Sequence, residues 1–133
     1  MHLSVDSRKP IEALRSDLRA ALSAGGLAIA SESDSSQAVA ASRPAKSRVS
    51  FVVEVADPLP SLPADADAAA MSTWKIAGYE MPGGTTRLST MRPTQLVDLL
   101  GHPHLAKEAS RLEKTLEAAL KSAAGWEEPS ALS

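Results

Sequence analysis

Two of the three histidines in this 133-residue chain stand two apart, in Gly101-His102-Pro103-His104-Leu105. Histidine is the commonest metal ligand, so this is the first spacing to test for chemistry. On a helix, a separation of two turns the side chains about 200° apart, so His102 and His104 meet one ion only from an extended or turning backbone. A third ligand has to come from elsewhere, with His2, Asp98 and Glu108 as candidates, and HExxH spacing is absent. A simpler reading makes the same residues a helix junction. Gly101 ends one helix, His102 stands near the N-cap of the next, Pro103 takes its first position and His104 falls in its first turn. The expectation is therefore a junction with no metal and no cofactor. The alternative is a metal- or haem-dependent enzyme or carrier that uses His102 and His104.

Other catalytic chemistries find less support. There is no GxSxG elbow to single out one serine. Carboxylate pairs at Asp65 and Asp67, or at Glu127 and Glu128, lie in stretches that fix no separation between them. Pro82-Gly83-Gly84-Thr85-Thr86 lacks the lysine and the strand-loop-helix context of a P-loop, and reads as a hairpin turn. With no cysteine, the chain has no disulfide and no thiolate nucleophile. A net charge of −2 provides no basic field for a phosphate backbone, so nucleic acid is not an expected partner. No stretch approaches the roughly 18 apolar residues of a spanning helix. The expectation is a cytoplasmic protein away from the membrane, without enzymatic activity. What remains is a small ligand, for which Asp57, Trp74, Tyr79, Arg87 and His102 are the polar or aromatic candidates, or self-association.

The elements that must position these residues are legible from periodicity. Leu3 and Val5 alternate in a first strand over 2–5, and Ile11, Leu14, Leu18, Ala21 and Leu22 form the stripe of a first helix that Gly25-Gly26 ends. Residues 27–31 read as strand two, 32–47 as a flexible loop, and 49–55 as the clearest strand, with Val49, Phe51, Val53 and Val55 on one face. Residues 64–71 suit one or two helical turns. Residues 73–81 and 85–91 form a hairpin with Trp74, Ile76 and Leu88 inward, whereas Glu54, Lys75, Tyr79 and Arg87 lie on the other face. A short helix opens at Pro93, and a closing helix carries Leu105, Ala109, Leu112, Leu116, Ala119, Leu120 and Ala123 on one stripe. Residues 125–133 read as a frayed tail, which leaves 1–124 as one domain.

Strands that run consecutively between two amphipathic helices predict an α+β domain of order β-α-β-β-β-β-α, its antiparallel sheet covered on one face by two helices. The uncovered face is the expected surface for a homodimer or for a small molecule.

Several strings support a resemblance. "IEALRSDLRAALSAGGLAIASESD", "VVEVADP", "YEMPGGTTRLSTMRP" and "QLVDLLGHPHLAKEASRLEKTLEAAL" together resemble the helix-glycine-strand, the strand ending in Asp-Pro, the hairpin and the closing helical segment of the bacterial domain-of-unknown-function family 302. The resemblance spans about residues 3 to 124. It implies a TBP-like arrangement and no agreed activity.

Overall fold

The computed structural model describes residues 2–34, 48–56, 58–59, 73–99 and 101–125. Its elements are β1 (His2–Ser7), α1 (Ile11–Ala24), β2 (Ile29–Asp34), β3 (Arg48–Ala56), β4 (Thr73–Glu80), β5 (Thr86–Met91), α2 (Pro93–Leu99), a 3-10 turn (Pro103–Leu105) and α3 (Ala106–Ala124). The strands form one antiparallel sheet in the order β1-β5-β4-β3-β2. The fold is α+β, as the order of the elements predicts. The short helix expected from Pro93 is α2, which packs on α3 beside the two amphipathic helices.

The alternation of the strands decides what is buried. Leu3, Val5, Phe51, Val53, Val55, Trp74, Ile76 and Leu88 face the helices and meet Leu14, Leu18 and Leu22 of α1 and Leu112, Leu116 and Leu120 of α3. Trp74, Ile76 and Leu88 are inward, as the hairpin pattern requires. The few polar groups on this face are satisfied. Thr90 donates to the Lys75 carbonyl at 2.7 Å, and Ser7 donates to the Ala124 carbonyl at 2.9 Å. Lys9 Nζ donates to Asp17 at 2.6 Å and to the Ala123 carbonyl at 2.8 Å. This cation therefore joins the loop after β1 to α1 and to the negative end of α3.

Strand two lies further along than expected, at Ile29–Asp34 instead of 27–31, and takes in residues 32–34 of the expected loop. The physical reason is Glu32. A bulge between Ile29 and Ser31 shifts the register, so Glu32 lies opposite Val53 on the helix side of the sheet. There it accepts from Arg15 Nε at 3.1 Å and from Arg19 Nε at 2.7 Å. These guanidinium hydrogen bonds, Arg19 foremost, hold the Glu32 carboxyl at a pKa of about 2. A polar sequence thus becomes an edge strand because α1 carries its counter-charges. The rest of the expected loop, the helical turns over 64–71 and the tail from 126 lie outside the described residues.

Helix α1 ends as its glycine pair suggests, with Gly26 at φ 80° and the Leu27 amide donating to the Leu22 carbonyl at 2.9 Å. That six-to-one bond is a Schellman closure, with apolar Leu27 and Leu22 at its two ends.

Gly78, in the central strand β4, is a glycine for a different reason. The Phe51 ring, from the neighbouring strand β3, occupies the space where a Cβ at position 78 would stand. Gly78→Ala should therefore cost about 2 kcal/mol or more in urea unfolding, because a fully buried ring has to move off its rotamer. The double change with Phe51→Leu should cost less than the sum of the two single changes. Additive costs would show that the ring and the glycine do not constrain one another.

Candidate functional site

The open face of the sheet carries the other half of each strand's alternation. Register converts that half into rows that run across the strands. Ser33 lies beside Val52, Val52 beside Ala77, Ala77 beside Ser89 and Ser89 beside Ser4. All five strands thus place a small residue in one transverse row, about 19 Å long at the usual spacing of neighbouring strands. The row is apolar in its middle, at Val52 and Ala77, and bears hydroxyls at both ends. At the β1 end Ser4 donates to Ser89 at 3.1 Å.

Longer side chains flank this row on both sides. One flank is Tyr79, Arg87 and Asp6, which are register neighbours on β4, β5 and β1. Arg87 grips the Asp6 carboxylate with Nε at 2.6 Å and Nη2 at 3.2 Å, and it also interacts with Tyr79. The paired guanidinium lowers the Asp6 pKa, and the carboxylate in turn raises that of Arg87. The opposite flank is Ser31, Glu54 and Lys75, with Met91 and His2 beyond them. Ser31 donates to Glu54 at 3.0 Å, and the Lys75 ammonium lies 3.8 Å from the same carboxylate. Each flank therefore carries one cation and one anion, already matched, which leaves the trough polar at its rims and close to neutral. Val52 is only 5% exposed even though it points away from the helical core.

The sequence candidates do not converge. Tyr79 and Arg87 stand side by side on the open face. Trp74 is on the core side, 3% exposed, with Nε1 donating to the Met91 carbonyl at 3.1 Å, so it packs and does not line the trough. Asp57 lies outside the described residues. His102 is in the junction between α2 and α3, away from the rows.

At that junction the residues stand where the spacing predicts, with Gly101 past the end of α2, His102 at the N-cap of the 3-10 turn and Pro103 opening it. Gly101 has φ 76°, its amide donates to the Asp98 carbonyl at 3.1 Å, and the His102 amide donates to the Val97 carbonyl at 3.0 Å. This is a second Schellman closure, in which His102 is the residue past the glycine, where a side chain commonly packs back on the helix it ends. His102 is also the N-cap residue of the 3-10 turn, yet its side chain makes no capping hydrogen bond. The His102 and His104 rings meet edge to face, with centroids 5.5 Å apart. Among the described residues no group of three or more His, Asp or Glu is placed to hold a metal ion. A shallow groove elsewhere, between the end of α1 and α3, is lined by Ala21, Ala24, Gly25, Thr115 and Ala118 and by Lys114.

Sequence reasoning missed Ser4, Ser33, Val52, Ala77 and Ser89. Alternation assigns each to a face, but only the register aligns them, and the bulge in β2 sets where Ser33 falls.

The two histidines should separate on substitution. His102, 8% exposed, should cost about 1 kcal/mol when replaced by alanine, whereas exposed His104 should stay within about 0.5 kcal/mol. Thermal unfolding of the two variants checks this, and equal costs would contradict the closure described here.

The comparisons with known proteins agree with this architecture. The model of the family described as "Domain of unknown function DUF302" matches residues 3–123. Among solved structures, the fold is similar to the crystal structure of an uncharacterized conserved DUF302 protein from Bacillus stearothermophilus. The TM-score is 0.75 at 21% identity, over 92% of this chain and 97% of that one. No curated protein matches the chain. With the family model matched over nearly its whole length, the chain belongs to the DUF302 family.

Proposed function

We propose that this domain is a binding module without chemistry of its own, which holds a small elongated molecule in the transverse trough of the open sheet face. The observation that supports this reading is the row Ser33, Val52, Ala77, Ser89 and Ser4, small on every strand and flanked by Tyr79 and Arg87 on one side and Glu54 and Lys75 on the other. Its chemistry suits a ligand that is apolar in the middle and forms hydrogen bonds at its ends, the usual composition of a site that recognises by shape and a few polar contacts.

Packing two open faces together is the other use of this surface, and it is the less favourable one. It would take the Asp6–Arg87 and Glu54–Lys75 pairs out of water, and burying charge pairs costs as much as it returns unless the partner adds hydrogen bonds. A small molecule can lie between the flanks and leave both pairs wet.

Ala77→Trp fills the middle of the trough from a position that does not face the core. Native mass spectrometry of protein isolated without a tag should show a retained small molecule on the wild type and none on this variant, with thermal unfolding little changed. A wild type that carries nothing, and that no small polar compound in a metabolite collection stabilises against heat, would contradict the proposal.

A further inference from the structure

The helix layer has an outer side that the sheet does not use. On α3, Lys107, Arg111 and Lys114 follow one another at steps of four and three, so they share one face, and all three are exposed. Several cations elsewhere in the fold are matched: Lys9 with Asp17, Arg19 with Glu32, Arg92 with Glu113 and Lys121 with Glu117. These three form no ion pair among the described residues. The carboxylates of the same helix are engaged with other groups. Glu113 accepts from Thr94 Oγ1 at 2.7 Å as well as pairing with Arg92, Glu117 pairs with Lys121, and Glu108 has a partner of its own. Like charges at these spacings destabilise a helix slightly, so the stability of α3 does not account for their placement. The positive end of the α3 macrodipole lies beside Lys107 and adds to the same field.

The groove between the end of α1 and α3 continues this face. Ala118 and Ser122 follow Lys114 at steps of four, and Ala21 and Ala24 form the opposite wall. The two helices approach closely there, since a Cβ at Gly25 would stand 3.1 Å from Thr115 Cγ2. Over about 23 Å of α3, from Lys107 to Ser122, the surface therefore passes from three unmatched cations to a shallow apolar groove.

The chemistry of the surface selects its occupant. Glu127 and Glu128, the nearest carboxylates past α3, stand within about 11 Å of extended chain from Gly125, whereas Arg111 and Lys107 lie about 21 and 27 Å back along the helix. They do not reach this group. A bilayer is a poor match, because the groove is lined by Ala, Gly, Ser and Thr and offers no long apolar or aromatic side chain for insertion. A nucleic acid duplex is a poor match as well, because three phosphate contacts on a chain of net charge −2 give little affinity.

We infer that this face docks an acidic helical segment of a partner protein, with its carboxylates on Lys107, Arg111 and Lys114 and its apolar side chains in the groove beside Ala118 and Ser122. Small residues on both walls let a third helix lie close against α1 and α3. The surface is on the far side of the helices from the sheet, so it is tested independently of the small-residue row.

Fluorescence anisotropy of a labelled peptide tests the inference. The probe is an alanine-rich helical peptide of roughly 18 residues, with glutamates spaced as the three cations are in one half and leucines in the other, synthesised in both orders. One order should bind the wild type, more weakly as salt is raised. The triple change Lys107→Glu, Arg111→Glu and Lys114→Glu should weaken binding roughly tenfold or more. Ala118→Trp, which fills the groove from an exposed position, should also weaken it, and both variants should keep wild-type thermal unfolding. Lys75→Glu, on the sheet face, should leave binding unchanged, and a peptide with lysines in place of the glutamates should not bind. Failure of both acidic peptides to bind at submillimolar protein overturns the inference. So does binding that survives either the triple change or Ala118→Trp, or tighter binding of phosphatidylserine vesicles or of a DNA duplex than of the acidic peptide.

Discussion

Phe51 lying across Gly78 is the contact on which the rest of the sheet depends. Projecting from β3, the ring covers the backbone of the central strand where any other residue would place a Cβ. Arg15 of α1 lies over the same ring, 5.6 Å from its centroid, while its Nε bonds Glu32 on β2. One aromatic side chain thus connects β4, β3, α1 and, through Arg15, the edge strand. Each link is small, with a cation–π contact of this kind contributing about 0.5 to 1 kcal/mol. Their shared geometry fixes α1 over the sheet, and with it the bulge that sets the register of β2.

That constraint explains how the two faces differ. The helix side is committed to packing: its aliphatic residues are buried and its few hydroxyls bond main-chain carbonyls. The alternate residues are released from that duty. On them the chain places matched charges in two rows and small residues in the row between, an arrangement that packing does not require. The face proposed to hold a ligand is therefore the one not committed to packing against the helices.

Most of the fold was legible in the sequence, because apolar periodicity marks helices and strands whatever lies around them. The stripes of α1 and α3, the alternation of 49–55 and the hairpin through Gly83-Gly84 each announce themselves locally. The extent of β2 was hidden, since Glu32 and Ser33 look like a loop until Arg15 and Arg19 are known to stand above them. The trough was hidden for a related reason. Ser4, Ser33 and Ala77 are unremarkable one at a time, and only strand register aligns them. At His102 the local signals were legible, since glycine stop, cap position and proline start stand in the order the spacing predicts, and the main chain closes the helix through Val97 and Asp98.

The central claim is that the Phe51 ring, lying across Gly78, holds α1 and, through Arg15 and Glu32, the edge strand β2. Native-state hydrogen exchange of the Phe51→Leu variant tests this most directly. Amide protection in β2 should fall well before protection in β1, at the other edge of the sheet. Equal losses in the two strands, or no loss in β2, would contradict the account.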